Sequence, residues 1–157
     1  MATSAFIAKH IKEFYFGGNW TAVNLKDSLS GLNWEQAAHR QSDLHSVAEL
    51  VYHINYFVRV VLRVLEGKPL EGKDAESFDC PPIQSESDWT TLKDRTWKDA
   101  EIFIKLVQKL PDNQLSELLA DEKYGSYERN LIGIIEHSHY HLGQIVLLRK
   151  LLKSSNN

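Results

Sequence analysis

Three of the chain's seven histidines fall in the run Glu136-His137-Ser138-His139-Tyr140-His141-Leu142-Gly143-Gln144, inside a long apolar segment. Spacing decides which of them can act together. At about 100° per residue, His137 and His141 stand one turn apart on one helical face, while His139 points to the far side. Only the first pair can grip a single ion. Ile134, Ile145, Leu148 and Leu152 share that face, so two imidazoles sit in an apolar stripe, where an unpaired polar group costs roughly 1–3 kcal/mol. A shared divalent metal offsets that cost.

A helical pair at i and i+4 supplies two ligands, and an open enzymatic site needs a third from another element. The best candidate is His53, which Leu50 and Phe57 flank one turn to either side, so that it leans towards the core of a second helix. A lone inward histidine is ordinarily a core side chain bonded to a carbonyl, and that reading stands beside the metal one. A di-iron site needs two Glu-x-x-His motifs and two more glutamates. Glu136 and His139 match that spacing once, on the wrong face, and no second copy exists. His10, His39 and His45 fall at helix surfaces or ends and suit solvated or capping roles. Cys80, before Pro81-Pro82, is a nucleophile only if its segment folds over the metal. Trp20, Trp89 and Trp97 read as core and rim aromatics, with Trp20 beside Gly17-Gly18 a possible pocket wall. No glycine-rich phosphate loop, nucleophile elbow or His-Glu-x-x-His motif is present.

Four periodic stretches must position these residues. Residues 4–29 place Ile7, Ile11, Phe14, Gly18, Ala22, Leu25 and Leu29 on one stripe, with Gly17-Gly18 as a kink. A short turn follows Asn33, capped with Gln36 in the third position. The second long helix opens at Ser46, where Ser46-Val47-Ala48-Glu49 forms a capping box, and ends at Gly67; its buried face is Val47, Val51, Ile54, Val58, Val61 and Leu65. Residues 67–84, rich in Gly and Pro, read as a long connection across the end of a bundle. Ser85 and Asp88 open a third helix, with Trp89, Leu92, Thr96, Ala100, Phe103, Val107 and Leu110 inward, stopped by Pro111. Residues 114–119 suggest one more turn. The fourth helix runs from about Tyr127 to Lys153 with Ser126 as its cap, and is apolar on nearly every side. The expected fold is all-α, a four-helix bundle in a single domain over residues 1–157.

Composition narrows the function classes. A chain of 157 residues with 43% hydrophobic and 25% charged residues can bury a core without a structural metal, so any metal is functional. The net charge of −3 provides no basic field for nucleic acid or anionic lipid, and no apolar run is long enough to span a membrane. One cysteine rules out an intramolecular disulfide, and charges interrupt the N-terminus too early for a signal peptide. These features suit a cytoplasmic protein. The apolar arc of Leu131, Ile135, Leu142 and Val146 on the fourth helix needs cover, either from residues 67–84 or from a second subunit, and a homodimer is the expectation.

Ser46-Val-Ala-Glu-Leu-Val-Tyr-His53, followed by His137-x-x-x-His141-Leu-Gly143-Gln144, resembles the DinB-like (YfiT/DinB) superfamily of metalloenzymes in motif, helix order and length. The resemblance implies a four-helix bundle, often a homodimer, with His53, His137 and His141 holding a nickel or zinc ion. It also implies a small-molecule substrate, since characterised relatives include transferases that use low-molecular-weight thiols and a thiol-dependent isomerase. Tyr140 departs from the commoner pattern, which has a histidine before the last ligand. The leading expectation is a metal-dependent thiol S-transferase or related hydrolase. The alternative is a non-catalytic metal-binding stress protein or dimeric scaffold, because no general base stands out: Glu13, Asn24, Asp27 and Asn130 remain unranked.

Overall fold

In the computed structural model, which describes residues 3–154, most ends of the long helices lie where local backbone chemistry dictates. Helix α1 (Thr3–Phe16) ends because Gly17 and Gly18 adopt φ of +96° and +98°, a region other residues rarely enter. The two glycines therefore terminate the helix instead of kinking it. A loop follows, and Asn24 caps the separate short helix α2 (Leu25–Leu29) by accepting from the Asp27 N–H. Of the expected stripe, Ile7, Ile11, Phe14, Leu25 and Leu29 are buried, while Gly18 and Ala22 are exposed in the loop.

The remaining caps follow the side-chain pattern. Asn33 and Gln36 form a complete capping box on α3 (Trp34–Ala38), as do Ser46 and Glu49 on α4 (Val47–Leu65). Gly67, at φ +79°, lies just past the end of α4, where the Lys68 N–H bonds back to the Arg63 carbonyl. Ser85 caps α5 (Glu86–Lys109), which stops ahead of Pro111. The Ser126 hydroxyl receives the Arg129 N–H at the start of α6 (Tyr127–Ser154). The extra turn appears as a 3₁₀ segment at Asp112–Ser116, shifted towards Pro111. It has a use beyond its own residues: both Asp112 carboxylate oxygens accept N–H groups of Thr3 and Ser4 at 2.9 Å, which caps α1 from the other end of the chain.

Packing closes a ring. Helix α1 lies on α5, α5 on α4, α4 on α6 and α6 on α1, with α2 and α3 filling the ends. No β-strand forms among the described residues. Fully buried Phe14, Ile54, Trp89, Phe103, Leu131 and Ile145 fill the interior, and the Trp89 indole N–H is satisfied by the Leu32 carbonyl at 3.0 Å. The bundle itself covers Leu131 and Leu142, and Ile135 and Val146 are half-buried, so the chain covers much of that arc itself. The exposed apolar line on α6 is rotated from it and comprises Ile132, Tyr140, Leu147 and Leu151.

Residues 67–84 run along α4 instead of crossing the end of the bundle. Gly72 lies so close to Val60 that a Cβ there would meet Val60 Cγ2 at 2.7 Å. The Tyr56 hydroxyl receives the Lys73 N–H at 2.7 Å and donates to the Lys73 carbonyl at 3.0 Å. Further on, Phe78 lies on His53, and the Cys80 thiol reaches the Ala48 carbonyl. The strap thus descends α4 from its last turns to its first.

Candidate metal centre

His53 projects from the middle of α4, and His137 and His141 project from successive turns of α6. The α4–α6 contact brings the three Nε2 atoms together. His137 is central, with its Nε2 at 3.0 Å from His53 Nε2 and 3.1 Å from His141 Nε2; all three donor atoms lie within 4.8 Å of one another. His53 and His141 are buried, and His137 is half-buried. His139, as expected from its spacing, turns away and packs edge-on against Phe14 of α1.

Protonation states favour ligation. Burial first, and then the neighbouring imidazoles, push His53 and His137 down to about 4, and burial also lowers His141. All three are neutral near pH 7, the form that binds metal. Gln144 Oε1 lies 2.7 Å from His141 Nδ1, so the bonding pattern assigns the proton to Nδ1 and the lone pair to Nε2. His137 can then donate its one Nε2 hydrogen to His141, but that leaves the 3.0 Å contact with His53 unsatisfied. No arrangement of neutral imidazoles gives each contact a hydrogen of its own, because His137 Nε2 belongs to both. Three lone pairs on one cation resolve the conflict. Four-coordinate zinc with bonds near 2.0–2.1 Å sets ligand nitrogens roughly 3.3 Å apart, within a few tenths of an ångström of the two short contacts. The donor set fits a divalent ion. Among the described residues no carboxylate or thiol joins the cluster, so three protein ligands leave a coordination position for something else.

Aromatic rings hold the imidazoles in place. Phe57 meets both His53 and His137 edge-on, and Phe78 of the strap stacks on His53 at 3.9 Å between ring centres. His45 stacks on the same Phe78, also at 3.9 Å. His53 Nδ1 is buried without a formed hydrogen bond; the Ser77 backbone favours its charged form but falls short of satisfying it. Phe78 was not visible as a site residue because its contact depends on the path of the strap. Gln144 could have been found, since i and i+3 are neighbours on a helix.

The other candidates separate cleanly. The strap does pass over the site, but Cys80 points to the Ala48 and Pro81 carbonyls, and burial pushes its thiol up to about 11. It is protonated and unreactive at neutral pH. Glu13 pairs with Lys9 and His10, while Asn24 and Asp27 bond each other at α2. Only Asn130 of the four polar candidates lines the cavity beside the triad, with its amide held by the Tyr124 and Ser126 carbonyls. Trp89 is buried and Trp97 packs on Tyr15 and Phe16, but Trp20 is fully exposed and lines nothing.

That cavity, about 490 Å³, opens where His137 meets the strap and the start of α6. Phe57, Val60, Val61, Leu70 and Ile134 form its apolar wall, and Tyr56, Asp74, Lys123, Arg129 and Asn130 its polar one. A model of the DinB superfamily matches residues 19–145, which include all three histidines. The chain belongs to the DinB superfamily. No curated protein and no solved structure shows a significant match to it. Its three histidines are positioned to hold a metal ion, and none of its described helices is long and apolar enough to cross a membrane.

Proposed function

We propose that the protein is a metal-dependent enzyme in which His53, His137 and His141 ligate one nickel or zinc ion, acting as a thiol S-transferase or related hydrolase. The observation that carries this reading is the convergence of three neutral imidazoles at the mouth of a largely apolar cavity, with His137 belonging to both. Bound there, a divalent ion supplies Lewis acidity, which deprotonates a thiol or lowers the pKa of water towards about 7. The protein's own part is positional. Gln144 fixes the His141 tautomer, Phe57 and Phe78 fix the His53 ring, and the Val60, Val61 and Ile134 wall keeps the approach to His137 dry.

The test is metal content together with thiol transfer to monochlorobimane, using several low-molecular-weight thiols. Purified protein should hold about one ion per chain, following from a single three-histidine centre. The loaded protein should accelerate transfer, and His53→Ala should not. Equal rates for loaded protein, stripped protein and variant would sink the catalytic reading and leave a metal-binding or scaffold protein.

A homodimer is part of the same proposal. Ile132, Tyr140, Leu147 and Leu151 make an exposed apolar line along α6, and Gly143 within it has open space where a Cβ would stand. Light scattering should give about twice the chain mass of 18.0 kDa.

A further inference from the structure

At the rim of the cavity beside the triad, one exposed cation has no partner among the described residues. Lys123, on its rim, is engaged by Asp121 at 3.7 Å and by the face of Tyr124. Arg129 is different: among the described residues its guanidinium makes no ion pair and no hydrogen bond. Two glycines flank it. Its Cγ passes 3.6 Å from where a Gly125 Cβ would stand, and one guanidinium nitrogen lies 3.5 Å from where a Gly133 Cβ would stand. Arg129, Gly133 and His137 follow one another at i, i+4 and i+8, so the guanidinium lies over the helix turn next to His137, roughly 6 Å along the axis. Apolar Phe57, Val60, Leu70 and Ile134 line the same cavity.

We propose that Arg129 is the carboxylate-binding residue of this cavity. Substrates are then small molecules with a carboxylate at one end, an apolar body, and the reacting group at the His137 end. A planar guanidinium with free N–H groups matches a carboxylate in two parallel bonds. Asp74, the one carboxylate on the wall, forms no ion pair with Arg129 among the described residues and so does not neutralise it. It also disfavours a doubly charged phosphate, for which a single unpaired cation is poor compensation. The inference rests on the reading that this cavity is the substrate site.

The test is calorimetric titration with 3-phenylpropanoate and its uncharged isostere 3-phenylpropanamide, on metal-loaded and metal-stripped protein. Wild type should prefer the acid by at least about tenfold with or without metal, the size expected for a charge-assisted pair. Arg129→Ala should bind acid and amide within about twofold of each other with helicity retained, and Lys123→Ala should keep most of the preference. Equal binding of acid and amide to wild type, binding of neither, or a preference that survives in Arg129→Ala would each overturn the proposal. A preference seen only with metal and indifferent to Arg129 would place the carboxylate on the ion, which also overturns it. Failure of the metal-enzyme reading shows separately, as purified protein without bound ion.

Discussion

Where α1 meets α5, the buried faces are Ile7, Ile11 and Phe14 on one side and Ala100, Phe103 and Val107 on the other; where α4 meets α6, the same kind of apolar stripe is interrupted by three imidazoles. In the first seam Thr96 bonds the Leu92 carbonyl of its own helix, and although the buried Tyr15 hydroxyl lacks a partner, no cluster of metal-ligating side chains adjoins it among the described residues. In the second, hydrogen bonds satisfy His141 through Gln144 but cannot satisfy His53 and His137 together. One seam holds the bundle together, and the other carries a polar conflict that a cation relieves. From this contrast, stability and metal binding are expected to be separable.

The sharpest attempt to break that separation is a crossed pair of substitutions. His137→Ala removes the central ligand and should leave purified protein almost free of metal while helicity persists, as measured by metal analysis and circular dichroism. Phe103→Ala should cost about 3–5 kcal/mol of stability in denaturant melts, because it empties a fully buried site, with metal content per folded chain unchanged. If chelation alone collapses the helices, the seams are not independent and the site is structural.

A smaller effect sharpens the second seam. Gln144→Ala leaves all three ligands in place but frees the His141 ring, and should weaken metal affinity about 10- to 100-fold in competition titrations. An unchanged affinity would mean that packing alone orients His141.

The smallest expected effect is on acid sensitivity of the metal-free protein. His53 and His137 titrate near 4 when folded and near 6.5 when unfolded, so between these values the unfolded chain binds more protons. Their contribution is complete above about pH 6.5 and is lost as pH falls towards 4. Melting temperature should decline across that window, and less steeply in His137→Gln. Identical slopes would show that the imidazoles are not desolvated in the folded state.

Much of this was legible in local patterns, because caps and helical faces depend on residues three or four apart. Ser46 with Glu49, Asn33 with Gln36, Ser85 with Asp88, and the His137/His141 pair all belong to that class. Gly17-Gly18 misled, since periodicity continues across the pair while the backbone conformation does not. The cover of the apolar arc on α6 was not legible either. Burial of Leu131 and Leu142 follows from how the neighbouring helices sit, which a one-helix pattern does not encode.

Residue order alone sets α4, α5 and the start of α6, and which two histidines of the cluster share a face, because hydrogen bonding and side-chain direction repeat over one turn. Tertiary packing carries His53 to His137 across 84 positions and sets Asp112 over the start of α1 from 109 positions away. It also decided that the strap lies along α4, with Phe78 on His53 and Cys80 turned aside, and that Arg129 overlooks a cavity. Those contacts depend on chain closure over long loops and on how helices settle against one another, and neither leaves a periodic trace in the order of residues.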